Sequence, residues 1–161
     1  MRPRPKRLIL RARAMIDKIK QLREEPGASL DTIRAARLDS GGDLAKAKVR
    51  RAEKLGALAE RKAGREVKAG VVDAYVHSSG RIGAMVELQC ETDFVARSPE
   101  FRRLAHDLAM HIAAMAPADA DELAGQEFIR DPAKKAGDLI GEAIGKFGEN
   151  IKVGNFTRFE L

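Results

Sequence analysis

The 161-residue sequence predicts an α+β fold, on three observations. Apolar residues recur at helical spacing through the first third of the chain. Between Gly70 and Cys90 the period falls to two. From Pro99 onward it is helical again, until a last strand-like stretch reaches the carboxyl end. Strands with helices to one side are the economical way to bury such a set. The length suits one ordinary core with a small satellite bundle beside it. The expected organisation is a basic, mobile segment over 1–14, a three-helix unit over 15–56, a helical linker over 57–69 and an α+β domain over 70–161.

In the three-helix unit, Met15, Ile16, Ile19 and Leu22 mark one helix, closed by Pro26 and Gly27. Ser29 caps a second helix, which turns Leu30 and Ile33 inward and runs to Gly41-Gly42. Asp43 caps a third, with Leu44, Ala47 and Leu55 as its inner side. Ala35, Ala36, Ala45 and Ala47 supply little apolar area, so this unit is expected to be marginal alone. GALAERKAGREVK, residues 56–68, has helix formers and charges but no wide apolar face, and is expected to be a solvated helical connector.

VVDAYVH alternates Val72, Ala74 and Val76 with Val71, Asp73 and Tyr75. SSG over 78–80 is a turn, and RIGAMVELQC sets Ile82, Ala84, Val86, Leu88 and Cys90 on one face: an antiparallel hairpin with one buried side. Phe101, Leu104, Ala105, Leu108, Ile112 and Met115 then form a helical stripe that Pro117 closes. APADADELAGQEF is an acidic loop or short helix. Pro132 is expected to start a last helix carrying Ala136, Leu139, Ile140, Ala143, Ile144 and Phe147, and Gly148 to end it. ENIKVGNFTRFEL reads as a strand, bent or bulged near Gly154.

Charge is uneven along the chain. Residues 1–68 carry 20 Lys and Arg against 9 Asp and Glu; residues 69–161 carry 10 against 15. The basic part suits nucleic acid or an acidic protein face, and the acidic remainder disfavours a chain that wraps nucleic acid throughout. No run of about 18 apolar residues exists to cross a bilayer, and a cytoplasmic protein is expected. Cys90 is the single cysteine, which excludes an intrachain disulfide or a multi-thiol metal site.

The candidates for chemistry centre on CETDFVAR, residues 90–97. Glu91 and Asp93 are paired carboxylates, but no nucleophile stands beside them. The simpler expectation is that Thr92 or Asp93 caps the next turn while Cys90 fills core. His106 and His111 are five residues apart, about 500° of helical rotation, so they do not stack as metal ligands do. GEAIGKFGEN lacks the phosphate-loop arrangement. No cofactor, no metal and no enzyme activity are expected. Phe94 follows the hairpin where a tip would lie; an aromatic beside an acid there is worth most at an interface, unless the ring tucks under the 99–116 helix.

Residues 64–161 resemble translation elongation factor Ts, the guanine-nucleotide exchange factor of elongation factor Tu. The likeness runs in order through AGREVKAGVVDAYVH, GRIGAMVELQCETDFVAR, FRRLAHDLAMHIAAMAP, FIRDPAKKAGDLIGEAI and GKFGENIKV to FTRFEL. KIKQLREEPGAS and GGDLAKA resemble more loosely the family's ubiquitin-associated-type (UBA-like) three-helix domain. The resemblance implies partner contacts at Thr92, Asp93, Phe94, Val95 and His111. It also implies one at Leu30, which with Asp31 stands where the family carries a methionine pair. Phe94 would wedge between helices of the partner's GTPase domain, with Asp93 bonding nearby, so that the Mg²⁺ and phosphate site is disturbed and GDP leaves. The chain is similar to short members with one half of the two-part core, which implies a homodimer through the α+β domain, one subunit offering Asp93 and Phe94 and the other His111. The alternative is a ribosome- or RNA-associated structural protein that keeps this fold and touches RNA through the basic amino terminus.

Overall fold

The computed structural model describes residues 44–161, with side chains from Glu53 onward. The basic segment 1–14, the first two helices of the expected three-helix unit and Leu30 lie outside the described residues. The chain divides into two compact units, Met1–Glu53 and Lys54–Leu161. The second, together with the start of the helix that leads into it, is described below.

Its elements in order are α1 (Leu44–Lys62), β1 (Ala69–Val76), β2 (Ile82–Cys90), the single turn α2 (Asp93–Ala96), α3 (Pro99–Met115), the short α4 (Ala120–Gly125), β3 (Glu127–Phe128), β4 (Asp131–Lys135), α5 (Ala136–Phe147) and β5 (Ile151–Glu160). Helices and antiparallel sheet together make the fold α+β. The main sheet has the order β1-β2-β5, antiparallel throughout.

One face of this sheet is covered by α3. Val86, Leu88 and Cys90 of β2 are fully buried, as are Phe101, Ala105, Leu108 and Ile112 of α3. The period of two in the strand and the helical stripe meet there, which is how two one-sided elements each hide an apolar surface. Phe101 packs edge-on against Phe147 of α5, ring centroids 6.3 Å apart. Serine capping starts α3: the Ser98 hydroxyl accepts the Phe101 N–H at 3.2 Å, and Pro99 occupies the first turn.

Two expectations are corrected. The stretch after residue 56 is helical as expected, with α1 continuing to Lys62, but it is not solvated on every side. Leu55 is buried, and Leu58 and Ala59 are half-buried against the core. Their spacing with Lys62 is one helical stripe. The Lys62 stem is covered while its ammonium donates to the Gly148 carbonyl, so a lysine completes a face that charge counting made polar. Pro132 does not begin a helix either. Residues 131–135 pair with 127–128 as a small hairpin, and α5 begins at Ala136, where the Asp138 carboxylate accepts the Lys135 N–H at 2.8 Å. A proline lacks a donor in an edge strand as well as in a first helical turn, so both settings tolerate it.

The carboxyl-terminal part matches expectation. Gly148 closes α5 at φ 74°, a left-handed conformation suited to glycine. The β2–β5 register shifts between Val86 and Leu88, opposite Gly154 and Asn155. The Glu87 carboxylate fills the bulge: it accepts the Asn155 N–H at 3.2 Å and the Gln89 amide at 2.7 Å. These bonds hold the Glu87 carboxyl below its ordinary pKa, with Gln89 the largest cause.

Candidate functional site

Strand β2 ends at Cys90, and after Glu91 and Thr92 the chain makes the single turn α2. Thr92 is its cap, in extended conformation (φ −130°, ψ 152°), with its hydroxyl oxygen accepting the Val95 N–H at 3.5 Å. One helical turn separates its sides. Val95 and Ala96 point into the core, each 3% exposed, so Asp93 and Phe94 are left on the outside. Phe94 is 87% exposed. A phenyl ring held out on a capped turn contributes little to folding. Beside it lies a shallow hollow lined by Asp93, Arg97, Ser98 and Pro99.

The base of this tip is tied by carboxylates. The Glu149 Oε2 accepts the backbone N–H groups of both Glu91 and Thr92, at 3.0 Å each, and its Oε1 accepts the Thr92 hydroxyl at 2.6 Å. In return, the Glu91 Oε1 accepts the Asn150 N–H at 2.6 Å and faces the Arg65 guanidinium at 3.5 Å. The buried Asn150 donates to the carbonyls of Arg65 at 2.7 Å and Ala63 at 3.4 Å. Three segments, 63–65, 91–92 and 149–150, thus meet under Asp93 and Phe94. Sequence reasoning missed Glu149 and Asn150. The only signal was a pair of polar residues at the start of an apolar strand, and their partners are 57 to 87 positions away.

Cys90 faces the core. It is buried and free, and burial first, then the Glu149 charge, push its thiol above the ordinary value. His111 is also fully buried. Its Nε2 lies 3.1 Å from the Gln126 Oε1, its Nδ1 accepts the Ile129 N–H at 3.3 Å, and its ring packs on Phe128 at 5.7 Å. This arrangement selects the neutral tautomer with the proton on Nε2. The structure therefore brings Thr92, Asp93 and Phe94 to one exposed tip, sets Val95 beneath it, and places His111 elsewhere under residues 126–129. Asp73 and His106 pair at 3.0 Å, and Tyr75 meets His77 at 3.2 Å. Among the described residues no cluster of three or more His, Cys, Asp or Glu side chains could hold a metal. No described helix is long and apolar enough to cross a membrane.

The family profile described as Elongation factor TS matches residues 13–118 and, in a second overlapping segment, 91–161. The chain belongs to the elongation factor Ts family. Elongation factor Ts of Rubrobacter xylanophilus is 38% identical over 191 aligned positions, which cover 91% of this chain and 98% of that protein. The same factor of Thermotoga maritima is 39% identical over 135 positions, covering 57% of this chain and 68% of its own. That of Herpetosiphon aurantiacus is 34% identical over 137, covering 57% and 69%. The 191 positions exceed the 161 residues here, so the Rubrobacter elongation factor Ts carries residues with no counterpart in this chain.

Proposed function

We propose that this chain is a guanine-nucleotide exchange factor that binds elongation factor Tu in its GDP-bound and nucleotide-free states, in the cytoplasm. The family supports the role in translation elongation, and the observation that carries the mechanism is the 87% exposure of Phe94 beside Asp93 on a capped, anchored turn. The ring enters between helices of the partner's GTPase domain and the Asp93 carboxylate accepts hydrogen bonds there. Contacts of this kind made only with the opened nucleotide site are what open it, since a ligand shifts an equilibrium by its differential affinity alone. The Mg²⁺ and phosphate contacts of GDP are disturbed, and GDP leaves with no covalent step in this chain. Thr92 and Val95 serve the tip from below, one as cap and one as core anchor. A contact through His111 requires residues 126–129 to move off it. Leu30 remains a proposed contact of the amino-terminal UBA-like domain.

The chain also pairs with a second copy through the outer face of its sheet. Val72 and Val76 are 67% and 69% exposed, Met85 48% and Phe159 70%. Val76, Gly83 and Phe159 lie in one cross-strand row, with Ala74 and Met85 in the next. An apolar sheet face of this kind marks an interaction site. The test of function is release of labelled GDP from elongation factor Tu when the chain is added. Strong acceleration is expected. Unaltered release together with tight, salt-sensitive RNA binding would replace this function with the RNA-associated one.

A further inference from the structure

We infer that Glu149 is the positioning residue of the tip: its carboxylate gathers three donors from Glu91 and Thr92 and so holds Asp93 and Phe94 ready for the partner. The inference rests on the exchange function proposed above and extends it to a residue 55 positions beyond Phe94.

The turn carries its own backbone bonds, from the Ala96 N–H to the Thr92 carbonyl at 3.2 Å and from the Arg97 N–H to the Asp93 carbonyl at 3.0 Å, but these do not tie it to the rest of the fold. Its inner side is anchored by Val95 and Ala96. On its outer side the Thr92 cap bond to Val95 is long, at 3.5 Å, and would leave the hydroxyl free to rotate. Glu149 removes that freedom. The 2.6 Å bond directs the Thr92 hydroxyl proton to its Oε1, which turns the oxygen lone pairs toward the Val95 N–H. The two bonds from Glu91 and Thr92 N–H fix the peptide planes that lead into the turn. All three are charge-assisted, the stronger class of hydrogen bond. Glu149 itself follows Gly148 at the end of α5 and precedes Asn150, whose N–H bonds back to Glu91. The acceptor is therefore held in place by the segment it holds.

Glu149 touches no partner in this account; it sets how much of the free protein carries the tip in the competent conformation. Thr92 is exposed, so water can take over its bonds when the carboxylate is gone, and the core need not respond. When only a fraction of the protein is competent, apparent affinity falls by that fraction while the saturated complex is unchanged. A contact made only with the opened nucleotide site would lower the saturated rate instead.

The experiment compares the full chain with Glu149→Ala and Glu149→Gln in two measurements: labelled GDP release from elongation factor Tu across a range of chain concentrations, and amide hydrogen exchange at Glu91, Thr92 and Val95. For Glu149→Ala the half-saturating concentration is expected to rise roughly tenfold with the plateau rate kept within about twofold. Exchange at Glu91 and Thr92 is expected to quicken by a similar factor while Leu108 and Ile112 keep their protection. Glu149→Gln retains one acceptor oxygen, so an intermediate value is expected, and it carries the test should the alanine variant fail to fold. An unchanged half-saturating concentration, a lowered plateau at unchanged half-saturation, or loss of protection at Leu108 and Ile112 overturns the inference. If the unaltered chain releases no GDP, the exchange function fails instead, and the amide measurement alone still decides whether Glu149 holds the tip.

Discussion

The Glu91 carboxylate accepts the backbone N–H of Asn150 at 2.6 Å, joining the end of one strand to the start of another 59 residues away. Through that bond the tip that carries Phe94 and the segment 63–65 share one support, because Asn150 also reaches the carbonyls of Ala63 and Arg65.

Asn150→Ala removes the donor from both carbonyls at a site 2% exposed. Losing part-buried hydrogen bonds of this kind costs about 0.5–1.5 kcal/mol each. The midpoint of denaturant unfolding is expected to fall accordingly, with its slope unchanged.

Stability is expected to fall as pH drops below the ordinary histidine value of about 6.5. Burial lowers the pKa of His111 in the folded chain, so the unfolded chain takes up the proton first. The contribution of the neutral ring is complete above the unfolded pKa and is lost as pH falls from there to the lower folded value, where Nδ1 can no longer accept the Ile129 N–H. Unfolding curves between pH 7.5 and 5 check this, and His111→Asn should flatten that slope.

Much of the fold is legible in the sequence because it is local. The alternation in β2, the stripe of α3 and the Gly148 stop each depend on neighbours a few positions apart. What failed is long-range. Leu58, Ala59 and Lys62 are covered only because the sheet domain lies under them, and Pro132 suits a strand edge as well as a helix start. The exposure of Phe94 was left open by the residues themselves, and the burial of Val95 and Ala96 decides it. Glu149 and the cover over His111 were illegible because each is defined by a partner distant in the chain.

A charge on the outer sheet face should separate the proposed pair of subunits. Phe159→Glu places a carboxylate in a row with Val76 and Gly83 at a position 70% exposed in the single chain, so folding is expected to be spared. Native mass in solution is expected to halve. An unchanged dimer mass would move the interface elsewhere.

The most direct measurement of the central claim is the plateau rate of labelled GDP release from elongation factor Tu with the unaltered chain and with Phe94→Ala. Truncating a central aromatic contact of this size costs about 2–3 kcal/mol, roughly a hundredfold in rate. A loss of that order, with the unfolding midpoint unmoved, is the predicted result. A Phe94→Ala chain that releases GDP as fast as the unaltered one contradicts the account.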